Sequence, residues 1–133
     1  MRAYLDSSVL LRVIFGEALA LPQFRAIELA VSSELLRVEC LRTVDRVRLR
    51  GLLNDEEVSS RSVAVYEAVR RVELVPLTAP VLDRAAQPFP TTLGTLDAIH
   101  LSSALLWQQS EGAALTFLTH DGELATAARA LGF

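Results

Sequence analysis

The sequence predicts an α/β domain with three layers, in which a central parallel sheet of four or five short strands lies between helices. Short apolar runs alternate with helix-length segments along the whole chain, and this alternation is typical of parallel sheets with right-handed crossovers. The chain has 133 residues, of which 51% are hydrophobic and 22% charged. That is the size and composition of one ordinary globular domain. We therefore expect residues 1–133 to form a single domain.

The elements follow one another with recognisable boundaries. Arg2–Leu5 predicts a first strand, and Asp6, Ser7 and Ser8 lead into an apolar helical segment that reaches Phe15. The remaining predicted elements are a helix near Ala18–Ala30, a strand at Ala30–Ser33, a helix at Glu34–Arg50 closed by Gly51, a helix capped by Asn54 and Asp55 that runs to Arg71, a strand at Val72–Leu77, a helix at Ala79–Ala86, a helix at Thr95–Gln109, a strand at Ala114–Thr119 and a helix at Asp121–Leu131.

Composition excludes several classes of function. Cys40 is the single cysteine, which excludes an intramolecular disulfide and a cysteine-rich zinc site. Every basic residue is an arginine, so there is no lysine for a phosphate-binding loop or a Schiff base. The net charge is −3, so any nucleic-acid contact must come from a local patch.

Hydropathy predicts a protein without a membrane segment. The longest stretch without a formal charge, Ala98–Ser110, is well short of the roughly 20 apolar residues that a bilayer requires. The N-terminal segment reaches Asp6 before an apolar signal region can develop, so we expect a cytoplasmic location. Mean hydropathy is +0.33, and an oligomer interface would explain this apolar excess.

Four carboxylates are expected at one edge of the predicted sheet. Asp6 follows the first strand, Asp121 follows the last strand, Asp97 lies in the first turn of the helix opened by Thr95, and Glu39 lies within the helix after the second strand. Ligands of parallel sheets bind outside the carboxyl ends of the strands. Because like charges at short distance repel, the cluster requires a cation, and a hard Mg²⁺ or Mn²⁺ ion prefers such oxygen ligands.

A structural role is an alternative for three of these acids. Asp6 and Asp121 each precede a helix and could be N-caps, and Asp97 would benefit from the helix dipole. Glu39 lies inside its helix, beyond the reach of capping. Only Glu39 therefore points to chemistry by its position alone.

An arginine stripe follows Glu39 along the same helix face. Arg42, Arg46 and Arg50 lie on its side of the helical wheel, beside the apolar arc that is formed by Leu36, Cys40, Val44 and Val47. One interpretation is a solvated face with a Glu39–Arg42 ion pair, worth a few tenths of a kcal/mol. The other is a set of contacts to a nucleic-acid backbone that leads to the acidic cluster.

Four segments together resemble the PIN domain, and within it the small ribonuclease toxins of VapBC-type toxin–antitoxin pairs. The resemblance spans the whole chain and is carried by Tyr4–Leu10, Ser32–Arg42, Thr95–Ala104 and Thr119–Ala128. It places the family's acidic metal-binding set on Asp6, Glu39, Asp97 and Asp121. It places supporting hydroxyl groups on Ser7 and Thr119, which would hold a carboxylate or a metal-bound water.

The resemblance implies an endoribonuclease that depends on one or two Mg²⁺ or Mn²⁺ ions and hydrolyses the phosphodiester bonds of tRNA or rRNA. In that mechanism Asp6, Asp97 and Asp121 ligate the metal, and Glu39 ligates it or orients the water that the metal activates. The family also implies a cognate antitoxin that inhibits the enzyme, and a homodimer.

The chain departs from the family pattern at two places. Gly94 stands where relatives often carry an arginine, so one expected RNA contact is missing. The sequence ends at Phe133, where many relatives continue into a short final strand. The sheet is therefore expected to have either four or five strands.

Other interpretations remain open at this stage. His100 could be a general acid, although a packing or interface role is preferred, and His120 could touch substrate; Trp107 is expected at a subunit contact. An aspartyl-phosphate enzyme would need a second acid at Ser8 and a lysine, and a serine hydrolase would need a Gly-x-Ser-x-Gly motif that is absent. The non-enzymatic alternative is a catalytically inactive PIN-type module that binds RNA or protein.

Overall fold

The computed structural model describes residues 1–17 and 22–133, and it confirms the predicted α/β class. The described elements are β1 (Arg2–Leu5), α1 (Ser7–Ile14), β2 (Leu29–Ser33), α2 (Leu35–Leu49), α3 (Asp55–Val69), β3 (Glu73–Val75), α4 (Ala79–Ala85), α5 (Thr95–Glu111), β4 (Thr116–Leu118) and α6 (Gly122–Ala130). A short 3₁₀ helix, Pro22–Ala26, precedes β2.

The described strands form one parallel sheet in the order β3-β2-β1-β4. Strand β1 is central, and its residue Ala3 is paired with Ala30 of β2 on one side and with Thr116 of β4 on the other. The next strand in the sequence, β2, pairs with one side of β1, whereas β4 pairs with its other side. The direction of strand addition therefore reverses at β1. Such a reversal is where open α/β sheets bind ligands, at the carboxyl ends of the strands.

Helices cover both faces of the sheet and give three layers. Successive side chains of a strand point to opposite faces, so Tyr4 packs with α5 residues such as Ile99, whereas Leu5 packs with Val9 of α1. Helices α1, α2 and α3 share one apolar cluster that includes Leu36. Packing of this cluster sets the orientation of α2, and it therefore sets the direction of Glu39, which lies on that helix.

Local capping explains several of the confirmed boundaries. The Asn54 side chain accepts a hydrogen bond from the Glu57 N–H, and the Glu57 carboxylate accepts one from the Asn54 N–H, which completes a capping box for α3. Gly51, with φ of 72°, follows the end of α2 in the left-handed conformation that glycine adopts at low cost.

The prediction of a helix near Ala18–Ala30 is wrong where the structure describes it. Residues 18–21 lie outside the described residues. Pro22–Ala26 forms only the short 3₁₀ helix, and Leu29 and Ala30 belong to β2 because their backbones pair with Arg2 and Ala3 of β1. Tertiary pairing therefore overrides the local helical pattern here.

Trp107 belongs to the core of this chain. Its side chain is 8% exposed and packs with Val75, Val81 and Leu115, and its indole N–H donates to Glu73 Oε1 at 2.7 Å. The prediction of a subunit contact at Trp107 is wrong, because this chain's own residues cover the ring.

Apolar side chains are nevertheless exposed elsewhere. Leu49, Leu52, Val63 and Tyr66 are exposed on α2, α3 and the connection between these helices. They agree with the high mean hydropathy, and the oligomer interface stays a prediction. In residues 1–17 and 22–133, no helix combines the length and the apolar character that a membrane span needs.

Burial along α2 predicts effects of very different size on stability for two nearby substitutions. Leu36 is 0% exposed and Val38 is 54% exposed. We expect Leu36→Ala to lower the free energy of unfolding by about 2–5 kcal/mol, because it leaves a cavity under α2. Val38→Ala is the control on the same helix and should change it by less than about 0.5 kcal/mol. Urea denaturation measures both, and equal effects would contradict the orientation of α2 that places Glu39.

Candidate active site

The carboxyl edge of the sheet gathers the acids that the sequence predicts. Asp6 directly follows β1, and Asp121 lies in the connection from β4 to α6. Asp97 lies in the first turn of α5, and Glu39 lies in the second turn of α2. Each acid therefore comes from a different part of the chain to the same end of the molecule.

Asp6 is an almost fully buried carboxylate that is held by hydroxyl groups. It is 4% exposed. Its Oδ2 atom accepts hydrogen bonds from the Ser8 hydroxyl at 2.6 Å and from the Thr119 hydroxyl at 2.8 Å. Its side chain makes no capping hydrogen bond to α1 within the described residues. The capping interpretation of Asp6 is therefore wrong, since the side chain faces hydroxyl groups instead.

The same hydroxyl groups connect the start of α1 to the loop after β4. Ser8 Oγ accepts from the His120 N–H at 3.0 Å, and Thr119 Oγ1 accepts from the Asp121 N–H at 3.0 Å. Thr119 therefore links the Asp6 carboxylate to the backbone of Asp121. Sequence reasoning missed Ser8 as a partner of Asp6, although a hydroxyl two residues after an acid at a helix start is a usable signal.

Glu39 is half-buried and both of its oxygens have partners. Oε1 lies 2.5 Å from His100 Nε2, and Oε2 lies 3.3 Å from the Ser7 hydroxyl. The same Ser7 hydroxyl lies 3.4 Å from Asp6 Oδ1. Ser7 thus stands between two carboxylates, and its supporting role stays a prediction.

His100, for which the sequence favours a packing or interface role over that of a general acid, contacts an acid of the site. It is 0% exposed, and its Nδ1 atom lies 2.9 Å from the Tyr4 hydroxyl. The predicted packing role is correct in part, but the ring also touches an acid of the site. Burial raises the pKa of the Tyr4 hydroxyl, which therefore keeps its proton. Burial acts to lower the pKa of His100, but the hydrogen bond and negative charge of Glu39 outweigh it and raise that pKa.

The pKa of Asp97 is affected by burial and by the negative charge of the other acids. Burial raises its pKa first, and the charges of Asp6 and Asp121 raise it further. Asp121 is exposed, and its Oδ1 accepts from the Leu124 N–H at 2.9 Å. The capping interpretation of Asp121 is thus confirmed, and its carboxylate also contributes to the negative potential at Asp97.

The arginines beside Glu39 are exposed, and their pairing differs from the simplest expectation. Arg42 pairs with Asp45 at 2.9 Å instead of with Glu39. Arg46 donates to the Thr43 hydroxyl at 2.9 Å, and Arg50 is exposed after the end of α2. A groove of about 330 Å³ lies beside Glu39, and its lining is Ser7, Ser8, Leu11, Leu35, Val38, Glu39, Arg42, Thr43, Arg46 and Leu96.

The donor set fits a hard divalent cation in its chemistry. It consists of carboxylate and hydroxyl oxygens, which Mg²⁺ and Mn²⁺ prefer. In the described part of the chain, Asp6, Asp97, Glu39 and Asp121 form no salt bridge with an arginine. With the side chains as they stand, no three His, Cys, Asp or Glu residues in the described ranges make a group that could hold a metal ion.

Comparison with known proteins agrees with this fold. The model of the PIN domain family matches residues 3–130, so the chain belongs to the PIN domain family. It is similar to Ribonuclease VapC47 of Mycobacterium tuberculosis (strain CDC 1551 / Oshkosh), with 31% identity over 137 residues that cover 98% of this chain and 92% of that protein. The resemblance to VapC-like PIN proteins that the four sequence segments carry is therefore confirmed.

Removal of the Asp97 charge should not weaken the metal-free fold. Because the folded-state pKa is raised, ionised Asp97 lowers stability at neutral pH, and this cost disappears as pH falls below the ordinary Asp pKa of about 3.9. We expect Asp97→Asn in EDTA to keep or raise the free energy of unfolding at neutral pH, by less than about 1 kcal/mol after solvent screening.

Urea denaturation at neutral and acid pH measures this difference. Asp83→Asn is the control, because it makes the same change of charge at an exposed position of α4. A marked loss of stability in Asp97→Asn alone would assign Asp97 a structural role.

Proposed function

We propose that the protein, as a single PIN domain over residues 1–133, is a metal-dependent endoribonuclease toxin of a toxin–antitoxin pair. One observation carries the proposal: the Ser7 hydroxyl lies 3.4 Å from Asp6 Oδ1 and 3.3 Å from Glu39 Oε2, so acids from separate elements share one site, and none of the four acids pairs with an arginine in the described residues. Burial first, and then the charges of Asp6 and Asp121, raise the pKa of Asp97, which agrees with this arrangement. Membership of the PIN domain family and similarity to a protein named a ribonuclease support it.

The four acids have two proposed roles, which are to ligate the metal and to orient the attacking water. Asp6, Asp97 and Asp121 would hold one or two Mg²⁺ or Mn²⁺ ions. A divalent ion bound there would lower the pKa of a water molecule and stabilise charge on the scissile phosphate. Glu39 orients the attacking water, since Ser7 and His100 hold its carboxylate. Ser7 and Thr119 fix Asp6 in place.

The groove beside Glu39 is the proposed path of the RNA backbone. Arg42 and Arg46 line it together with Glu39 and Leu96, and Arg50 extends the row at the end of α2. Guanidinium groups bind phosphates without reading the bases. The target, tRNA or rRNA, is then selected by other surfaces.

The proposed partners follow from the same assignment. A cognate antitoxin protein would inhibit the enzyme in the cytoplasm, and a homodimer would cover exposed apolar residues such as Leu49 and Tyr66. Burial of apolar surface is the usual driving force of such association.

A catalytically inactive PIN-type module that binds RNA or protein is the second candidate. It is favoured by the absence, within residues 1–17 and 22–133, of three grouped side chains that could hold a metal ion as they stand. Metal binding separates the two candidates, because only the enzyme needs it.

RNA cleavage should depend on both metal and Asp6. Purified protein with Mn²⁺ is expected to cut a mixed tRNA and rRNA pool, and EDTA should abolish the cutting. Asp6→Asn should reduce the rate by more than about 100-fold, since it removes a ligand charge. Gel electrophoresis of the RNA measures the products.

Asp83→Asn is again the matched control and should cut like wild type. Mn²⁺ binding measured by calorimetry accompanies the assay. Binding without cleavage would indicate that the pool lacks the substrate, whereas no Mn²⁺ binding and no cleavage would favour the inactive module.

Arg46 should contribute one phosphate contact. It lines the groove and, in contrast to Arg42, has no acidic partner in the described residues. In an Asp97→Asn background that does not cut RNA, Arg46→Gln should weaken binding and reduce the slope of log affinity against log salt by about one.

Filter binding at several salt concentrations measures that slope. Arg71→Gln is the control, because Arg71 is exposed before β3, at the opposite edge of the sheet. An unchanged slope for Arg46→Gln would place the RNA elsewhere.

A further inference from the structure

A buried chain of three side chains reaches the acidic site from the core. Tyr4 of β1 contacts His100 of α5, and His100 contacts Glu39 of α2. Tyr4 and His100 are both 0% exposed, and the ring of Tyr4 stacks on Phe117 at 5.0 Å between centroids. Three elements of the fold therefore meet at one imidazole.

The imidazole is satisfied on both nitrogens. A buried polar group without partners is costly, and here Nε2 faces Glu39 Oε1 while Nδ1 faces the Tyr4 hydroxyl. A hydroxyl both donates and accepts, so Tyr4 serves the ring whether Nδ1 carries a proton or not. In either form Nε2–H donates to the carboxylate.

The position of His100 ties Glu39 to the other acids. His100 lies one helical turn after Asp97 on α5, so one rigid helix carries both an acid and the group that holds another acid. His100 Nε2 also lies 4.0 Å from Asp6 Oδ1. A carboxylate has about four lone-pair sites, and the contacts with His100 and Ser7 leave Glu39 capacity to accept from a water.

We propose that His100 is a positioning residue, which orients the Glu39 carboxylate toward the metal and water of the active site through its Nε2–H group, with Tyr4 fixing the ring. This inference rests on the proposed function and adds a residue that acts through Glu39. The flexible Glu39 side chain gains a fixed direction from its contact with the buried ring.

Two amide substitutions separate positioning from packing. Glutamine places an amide N–H near the location of Nε2, whereas asparagine places one near Nδ1 and leaves Glu39 Oε1 without its donor. Both remove the ring from the core, so both should lower the unfolding temperature. We expect His100→Asn to weaken Mn²⁺ affinity by about 10- to 100-fold and His100→Gln to stay within about threefold of wild type.

Calorimetric Mn²⁺ titration of the folded variants is the measurement, with thermal unfolding and RNA cleavage alongside. A double-mutant cycle with Glu39→Gln completes it. In the Glu39→Gln background, His100→Asn should cause little further loss of Mn²⁺ affinity, because the group through which it acts is already changed.

The outcomes separate failure of this inference from failure of the proposed function. If wild type binds Mn²⁺ and the two amide variants bind it equally, or if the cycle is additive, His100 has only a packing role. If wild type neither binds Mn²⁺ nor cuts RNA, the proposed function is wrong.

Tyr4→Phe gives a second route should His100→Asn fail to fold. This variant keeps the stacked ring and removes only the hydroxyl that faces Nδ1. We expect a several-fold loss of Mn²⁺ affinity in a folded protein. Wild-type affinity in Tyr4→Phe would overturn the role of the chain of contacts.

Discussion

The hydrogen bonds to the Asp6 carboxylate are the contacts on which the site depends. A charge that is 4% exposed is costly to bury unless its lone pairs are satisfied. Ser8 and Thr119 satisfy one oxygen, and in doing so they join the start of α1 to the loop after β4. The sheet makes this possible, because β1 and β4 are neighbours although they stand near opposite ends of the chain. The same loop carries Asp121, whose charge contributes to the raised pKa of Asp97.

The site concentrates negative charge that the metal-free fold does not neutralise. The pKa of Asp97 reflects this charge, since burial and the neighbouring acids raise it. His100 contributes the opposite influence, because its contact with Glu39 provides a donor in an otherwise acidic region. Electrostatic repulsion of this kind is common at functional sites, where it lowers stability. A cation at the site would relieve the repulsion and link ligand binding to stability.

Local signals predicted the order of strands and helices, since periodicity, the Asn54 cap and Gly51 act over a few residues. The rule for parallel sheets then placed the acids at one edge. The contact from Tyr4 through His100 to Glu39 was not predictable, because it joins residues far apart in sequence and depends on how α5 and α2 approach each other. Long-range contacts explain why the helix near Ala18–Ala30 and the subunit contact at Trp107 were predicted wrongly. Leu29 pairs with β1, and core packing covers Trp107.

The sheet order has a consequence for protein synthesis. The partner of Asp6 that comes latest in the chain, Thr119, lies 113 residues after it. The N-terminal segments leave the ribosome first, so α1, α2 and the first turn of α5 emerge before β4 does. A nascent chain therefore carries Asp6, Glu39 and Asp97 without the strand that completes their surroundings. The acidic centre can therefore assemble only after β4 and Thr119 have left the ribosome.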